Sequence, residues 1–225
     1  MVIRLVTFDA LHTLLAPRLP IYVQYSQTFQ PYLGTLNPDT LKRSFKTALK
    51  QLQAEKPVYQ TGVREWGARW SGGPRWVRAG SCGCGQLFDD TLPTLQSLKQ
   101  CNIHTGVISN TDTRMRAVLK DLEILPYLEP TLFSEEEGVE KPSREIFLRA
   151  CSRVGVRPQE AVHVGDELQG DFYGAKESGL AALLIRRPGP EGEGEAKEAD
   201  EDLSGVDVVP SLLDVVEKVK QMNSL

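Results

Sequence analysis

Short apolar runs separated by amphipathic stretches recur along most of the chain, and this alternation constrains the fold more than any other feature. Residues 2–8, 104–109, 131–133, 161–164, 181–185 and 206–209 form such runs, most of them β-branched or aliphatic. Runs of this kind mark strands buried on both faces, as in a parallel sheet covered by helices. Between them, Leu92, Leu95 and Leu98 follow Asp90. Met115, Val118, Leu119 and Leu122 form a second set. Ile146, Phe147 and Ala150 follow Ser143, and Leu212, Val215, Val216 and Val219 follow Ser211. Spacings of three and four put each set on one helical face, and Asp90, Asp112 and Ser143 stand where helix N-caps belong. The expected fold is α/β, a Rossmann-like doubly wound parallel sheet built from residues 1–15 and 90–225.

Residues 16–89 break the alternation. They carry no strand run, but Asn37 and Pro38 can start a helix that places Leu41, Phe45, Leu49 and Leu52 on one face. This predicts a small helical insertion after strand one, above the carboxyl edge of the sheet where open α/β folds bind ligands. Within it, residues 65–86 hold six glycines, three arginines and Trp66, Trp70 and Trp76, with Val77 the one branched aliphatic. Neither a helical nor a strand period fits this segment, which is expected to be irregular.

Composition narrows the function class. Hydrophobic residues are 40% and charged residues 25% of 225, close to globular averages. No run is long and apolar enough to span a bilayer, and the N-terminus lacks a secretory cleavage pattern. A soluble intracellular protein is expected, cytoplasmic with a nuclear location left open, binding neither membrane nor nucleic acid. Cys82, Cys84, Cys101 and Cys151 are too irregularly spaced for a disulfide framework or a zinc site, so free thiols are expected. The net charge is −4, with seven acids against Lys197 in residues 191–202. That run has few apolar residues to bury and reads as a solvated loop.

The chemistry lies at the ends of the strand runs. Asp9 follows the first, Ser109 and Asn110 end the second, Lys141 stands just before a helix start, and Asp166 and Asp171 follow His163, Val164 and Gly165. Singly, each is an ordinary cap, turn or surface residue. In this order on successive edges of a parallel sheet, they supply a carboxylate nucleophile, a small-anion donor, a fixed cation and metal-binding acids. Phosphoryl transfer through an aspartyl intermediate needs that set. His12 reads as a turn residue bonding locally, and His104 and His163 as structural histidines.

These motifs resemble those of the haloacid dehalogenase superfamily of hydrolases, over residues 2–13 and 90–185, with a helical cap after the first strand that is shortened here. The resemblance implies that Asp9 attacks phosphorus and that Ser109 and the Asn110 amide hold the transferring oxygens. It implies that Lys141 neutralises the charge. Mg²⁺ is implied on Asp9, the Leu11 carbonyl and Asp166, with Asp171 acting from behind or through water. A small phosphorylated substrate is implied. One position departs from the phosphatases of this family: two residues after the nucleophile, where they carry a second aspartate that moves the leaving group's proton, stands Leu11. That departure leaves two other readings open, a protein that binds a phosphorylated ligand or partner without turnover, and a 2-haloacid dehalogenase.

Overall fold

The computed structural model describes residues 2–19, 21–37, 39–44, 47, 85–197 and 200–224. A six-stranded parallel sheet forms the centre, built from β1 (Leu5–Phe8), β4 (His104–Ser109), β5 (Thr131–Phe133), β6 (Ala161–Gly165), β7 (Ala181–Ile185) and β8 (Val208–Val209). Its spatial order is β5-β4-β1-β6-β7-β8. The chain therefore leaves β1 toward one edge and returns to fill the other. The point where the direction reverses lies beside β1, and there the carboxyl ends of β1, β4 and β6 are neighbours.

Side chains alternate across the sheet with the period of two that a strand imposes. Val6, Phe8, Val162, Val164, Leu183 and Ile185 face one layer, made by α2 (Thr91–Gln100), α3 (Arg114–Asp121) and α7 (Leu212–Ser224). Leu5, Ala161, Ala182 and Leu184 face the other, where Ile146, Phe147 and Ala150 of α5 (Arg144–Val154) are fully buried. The short helices α4 (Ser134–Glu137) and α6 (Gly174–Glu177) complete the connections. Fully burying an aliphatic or aromatic side chain contributes about 1.5–3 kcal/mol. The two apolar layers are thus the main force holding the carboxyl edge in place.

Most expected elements lie where the apolar periods put them. The first strand begins at Leu5 and the last at Val208, both shorter than the apolar runs that announced them. Ser143 caps α5 by accepting from Glu145 N at 3.4 Å, and Asp112 accepts from Arg114 N at 3.0 Å. Asp90 differs: it occupies the cap position of α2 but makes no cap hydrogen bond. Its carboxylate accepts from the Arg187 guanidinium at 2.8 and 2.9 Å and from Leu212 N at the start of α7 at 2.8 Å. A buried arginine charge competes for that carboxylate better than a neutral amide of its own helix can.

The insertion also departs from expectation. Leu15–Pro17 (β2) pairs antiparallel with Gly85–Leu87 (β3), so Gly85 and Gln86 are strand residues and a ribbon stands at the root of the insertion. Three-residue strands holding a proline and a glycine carry too little period to be seen in sequence. Ile21–Leu33 forms α1. Asn37 caps the next helical turn by accepting from Asp39 N and Thr40 N at 2.9 and 3.2 Å. Phe45, Leu49, Leu52 and residues 65–84 lie outside the described residues, as do Cys82 and Cys84; Cys101 and Cys151 are free thiols. Among the described residues no helix is long and apolar enough to cross a membrane.

The acidic segment departs from expectation at two of its acids. Most of its described residues are exposed, as a solvated loop requires, but Glu195 is 7% exposed, and Glu201 accepts two hydrogen bonds from Arg186 at 2.7 and 2.9 Å. Arg186 and Arg187 follow the end of β7, and the Arg186 guanidinium holds Glu201 while the Arg187 backbone N–H and Lys197 hold Glu195.

Candidate active site

Parallel register brings the predicted residues together. Phe8 pairs with Val107 on one side and Val164 on the other, so Asp9, Ser109 and Asp166 emerge from three adjacent strands at one edge. Asp9 N continues the ladder by donating to Val164 O at 2.8 Å, which fixes the backbone beneath its carboxylate. Ser109 is buried at the end of β4. Asn110 does more than offer its amide. Its side chain donates to Lys141 O at 2.9 Å and accepts from Lys141 N at 2.8 Å, clamping the Lys141 loop to the end of β4.

That clamp delivers a buried cation. Lys141 Nζ donates to Asp9 Oδ1 and to Asp171 Oδ1, both at 2.6 Å, and its side chain is 2% exposed. Burial works against the ammonium, but the charges of Asp171 and Asp9 outweigh it and hold the lysine above its ordinary pKa. Asp171 behaves as the mirror image. Burial opposes its ionisation, but Lys141 and His163 hold it below the ordinary carboxylate range. His163 Nε2 lies 3.0 Å from Asp171 Oδ1, and Nδ1 lies 2.8 Å from Thr7 Oγ1. A carboxylate can only accept, so the ring proton sits on Nε2 and the Thr7 hydroxyl donates to Nδ1. Burial keeps the imidazole pKa low despite the neighbouring Asp171. Asp171 Oδ2 accepts from Glu167 N at 2.9 Å. Gly165 allows the close approach, since a Cβ there would fall 2.1 Å from the Asp171 carboxylate.

Asp166 stands on the opposite side of the edge. It is 3% exposed and accepts from Ala196 N at 2.8 Å. Among the described residues no lysine or arginine forms an ion pair with its carboxylate. Burial, reinforced by the charges of Asp9 and Asp171, raises its pKa well above the ordinary value. Asp9 is raised too, mainly by burial, with Lys141 opposing. Glu167, next along the chain, is pushed up to about 7 by burial and by Asp171. A buried carboxylate without a counter-cation, close enough to a second carboxylate to be perturbed by it, is a donor set suited to a hard divalent ion. Among the described residues no group of three or more His, Cys, Asp or Glu side chains converges. Mg²⁺ nevertheless fits, because it commonly takes one or two carboxylates and completes its shell with waters and substrate oxygens.

Leu11 is half-buried and packs against the apolar core, with no proton to exchange. Sequence reasoning missed three contributors: the Asn110 side chain, the Thr7–His163 pair and the chain around Ala196. Thr7 and His163 left a signal, as polar residues in otherwise apolar strands, and they pair directly in the sheet register.

With this geometry established, comparison with known proteins is informative. A family model described as haloacid dehalogenase-like hydrolase matches residues 74–179. The haloacid dehalogenase-like hydrolase domain-containing protein 3 of Xenopus laevis is 30% identical over 213 residues, covering 84% of this chain and 87% of that protein. The chain belongs to the haloacid dehalogenase-like hydrolases. The glyceraldehyde 3-phosphate phosphatase of Methanopyrus kandleri is 39% identical over a shorter stretch of 101 residues, 44% of this chain and 43% of that protein. Among solved structures, magnesium-bound YfnB from Bacillus subtilis superposes with a TM-score of 0.70 at 17% identity, covering 98% of this chain and all of that one. At that identity the likeness speaks for the fold alone.

Proposed function

We propose that this haloacid dehalogenase-like hydrolase cleaves small phosphate monoesters with Asp9 as nucleophile and Mg²⁺ as cofactor. The observation that carries the reading is the bridging of Asp9 and Asp171 by one buried ammonium, with the uncompensated Asp166 carboxylate alongside. Lys141 occupies Asp9 Oδ1, which leaves Oδ2 to attack. The new bond joins Oδ2 to phosphorus, the bond from phosphorus to the ester oxygen breaks, and the leaving group departs with that electron pair. Water then attacks the phosphorus of the acyl phosphate, the bond from phosphorus to Oδ2 breaks and returns its electron pair to the Asp9 carboxylate, and inorganic phosphate leaves carrying the water's protons on its oxygens.

Each residue has a defined share. Lys141 keeps Asp9 ionised and offsets the phosphoryl charge, while Ser109 and Asn110 N–H donate to the transferring oxygens. Asp9, Asp166 and the Leu11 carbonyl would hold Mg²⁺. When bound, the ion supplies Lewis-acid charge stabilisation of the phosphoryl oxygens. Asp171, with His163 and Thr7 behind it, fixes the lysine. The phosphatase relative from Methanopyrus supports a small phosphorylated substrate. Magnesium in YfnB supports the ion.

Leu11 limits the chemistry. General acid–base help is worth about 10²–10⁴-fold, so turnover is expected mainly with leaving groups that depart without a proton, such as activated aryl phosphates. The same residue favours a second reading, a protein that binds a phosphorylated ligand or partner and does not turn it over. Release of phosphate from an activated aryl phosphate, with and without Mg²⁺, beside Asp9→Asn decides between them. Mg²⁺-dependent release abolished by Asp9→Asn is the expected result. Full turnover by Asp9→Asn would falsify the nucleophile assignment. Saturable phosphate-ligand binding without turnover would establish the second reading, and halide release from 2-haloacids without metal would favour a dehalogenase.

A further inference from the structure

The chain after β7 folds back over the catalytic edge, and its fastenings are specific. Arg187 is 4% exposed, and its guanidinium lies 3.8 Å from the centre of the Phe88 ring. It donates to both Asp90 carboxylate oxygens and to Thr13 O at 3.1 Å. Glu195, whose side chain is fully buried, accepts from Arg187 N at 2.5 Å and pairs with Lys197 Nζ at 3.0 Å. The same Lys197 Nζ donates to Gly192 O at 3.0 Å.

The alternating glycines of this acidic stretch reflect packing rather than low complexity. A Cβ at position 192 would lie 2.1 Å from Arg187 O, and one at position 194 would lie 2.3 Å from the His12 ring. Gly192 lets the stretch press on its own backbone at Arg187, and Gly194 lets it press on His12, three residues after Asp9. The turn ends with Lys197 N donating to Glu195 O at 2.9 Å, a three-residue turn centred on Ala196. Ala196 N–H is thereby aimed at Asp166 Oδ2, which it meets at 2.8 Å.

We propose that residues 187–197 form a strap that orients the Asp166 carboxylate for Mg²⁺ through the Ala196 N–H, with Glu195 as the positioning residue that holds the strap down. The inference rests on the reading of Asp166 as a metal ligand given above. The N–H satisfies Oδ2 and restrains the carboxylate, which would leave Oδ1 for the ion. Groups that hydrogen-bond metal ligands in this way typically change metal affinity by about 10- to 100-fold when removed. Glu195 acts at one remove: its carboxylate ties the turn to the backbone of Arg187, and without it the turn keeps its own Lys197 N–Glu195 O bond but loses that tie to the chain leaving β7.

The test is Mg²⁺ binding to the intact, substrate-free protein by titration calorimetry, which needs no turnover. Ala196→Pro removes the one N–H. Ala196 is not among the positive-φ residues, and the central residue of this kind of turn has a φ near that of proline, so the turn itself is kept. Glu195→Ala removes the anchor, and Glu195→Gln keeps an oxygen able to accept from Arg187 N. Mg²⁺ affinity is expected to fall about 10- to 100-fold in Ala196→Pro and Glu195→Ala, with Glu195→Gln lying closer to the wild-type value. The far-ultraviolet circular dichroism of all three should match the parent. Wild-type protein that binds no Mg²⁺ would overturn the metal reading itself. Wild-type binding with unchanged affinity in Ala196→Pro would overturn the strap alone, as would tighter binding, which would make the strap a competitor of the ion. Should Glu195→Ala fail to fold, Ala196→Pro still decides.

Discussion

Asp166 and Asp171 leave the end of one strand five residues apart, are nearly equally buried, and finish in opposite electrostatic states. Asp171 has an ammonium at 2.6 Å, an imidazole N–H at 3.0 Å and a backbone N–H at 2.9 Å. Among the described residues, Asp166 has one backbone N–H. Burial raises the pKa of both, and only partners decide which stays charged without help. One half of the pocket is thus a completed salt-bridge cluster that the fold itself satisfies. The other half is an electrostatic debt that a divalent cation can settle. If the site holds Mg²⁺ as proposed, it needs both kinds of carboxylate, one for the permanent lysine and one for the reversible ion.

The comparison breaks most visibly where the cation is removed. Lys141→Met would leave Asp9 and Asp171 buried without their counter-charge, a loss of about 3–5 kcal/mol for a broken buried ion pair. Phosphate release should vanish with it. Asp166→Asn deletes a charge of similar burial but keeps an oxygen for Ala196 N, so metal-free protein should be as stable as wild type or more so. Urea denaturation at neutral pH checks both. If Asp166→Asn cost as much as Lys141→Met, the two halves would not differ as described.

A second change loads the unpaired half further. Leu11→Asp supplies the missing proton carrier, and turnover of an unactivated alkyl phosphate should rise by about 10²-fold, the lower end of general acid–base contributions and equal to roughly 2.7 kcal/mol of barrier. Metal-free stability should fall, because an apolar contact with the core is exchanged for another carboxylate on the side that lacks a cation. Steady-state kinetics beside denaturation curves separates the two effects. Unchanged kcat/KM for the alkyl ester would mean that the residue at position 11 does not face the leaving group.

How much of this was legible in sequence follows from the range of the forces involved. The runs of β4, β5 and β7 were readable to the residue because burial on both faces leaves an unbroken apolar mark. That Asp9, Ser109, Lys141 and Asp166 stand at strand ends or just before a helix was readable from the same runs. The contacts that tune them were not. Asn110 reaches Lys141 across 31 residues, Asp90 meets Arg187 across 97, and Ala196 meets Asp166 across 30. No local period encodes such pairs. The inward turn of Glu195 was not legible either, since its neighbours are polar and its partner is the Arg187 backbone N–H, which carries no side-chain signal.

The smallest effect concerns pH, and its sign distinguishes the two halves. Asp166 has a raised pKa in the folded protein, so the fold binds its proton more tightly than the unfolded chain does. Its contribution favours the folded state below the unfolded value near 3.8 and is lost as pH rises through the folded value. Glu167, raised to about 7, acts in the same direction, though its exposure to solvent weakens its share. Asp171 has the opposite sign, contributing stability above its unfolded value of 3.8 and losing it only on acidification below that. His12 and His163, both lowered, also favour higher pH, so total stability alone would mix the signs. The informative quantity is the melting temperature of metal-free wild type minus that of Asp166→Asn, which should become steadily more negative from about pH 4 toward 7. Mg²⁺ should reverse it, because the ion binds the deprotonated carboxylate. A hundredfold excess over Kd stabilises by about 2.7 kcal/mol, or roughly 5–10 °C in a chain of this size, more at pH 7.5 than at pH 5. Asp166→Asn should show little of that rise; an equal rise in the variant would place the ion elsewhere than on Asp166.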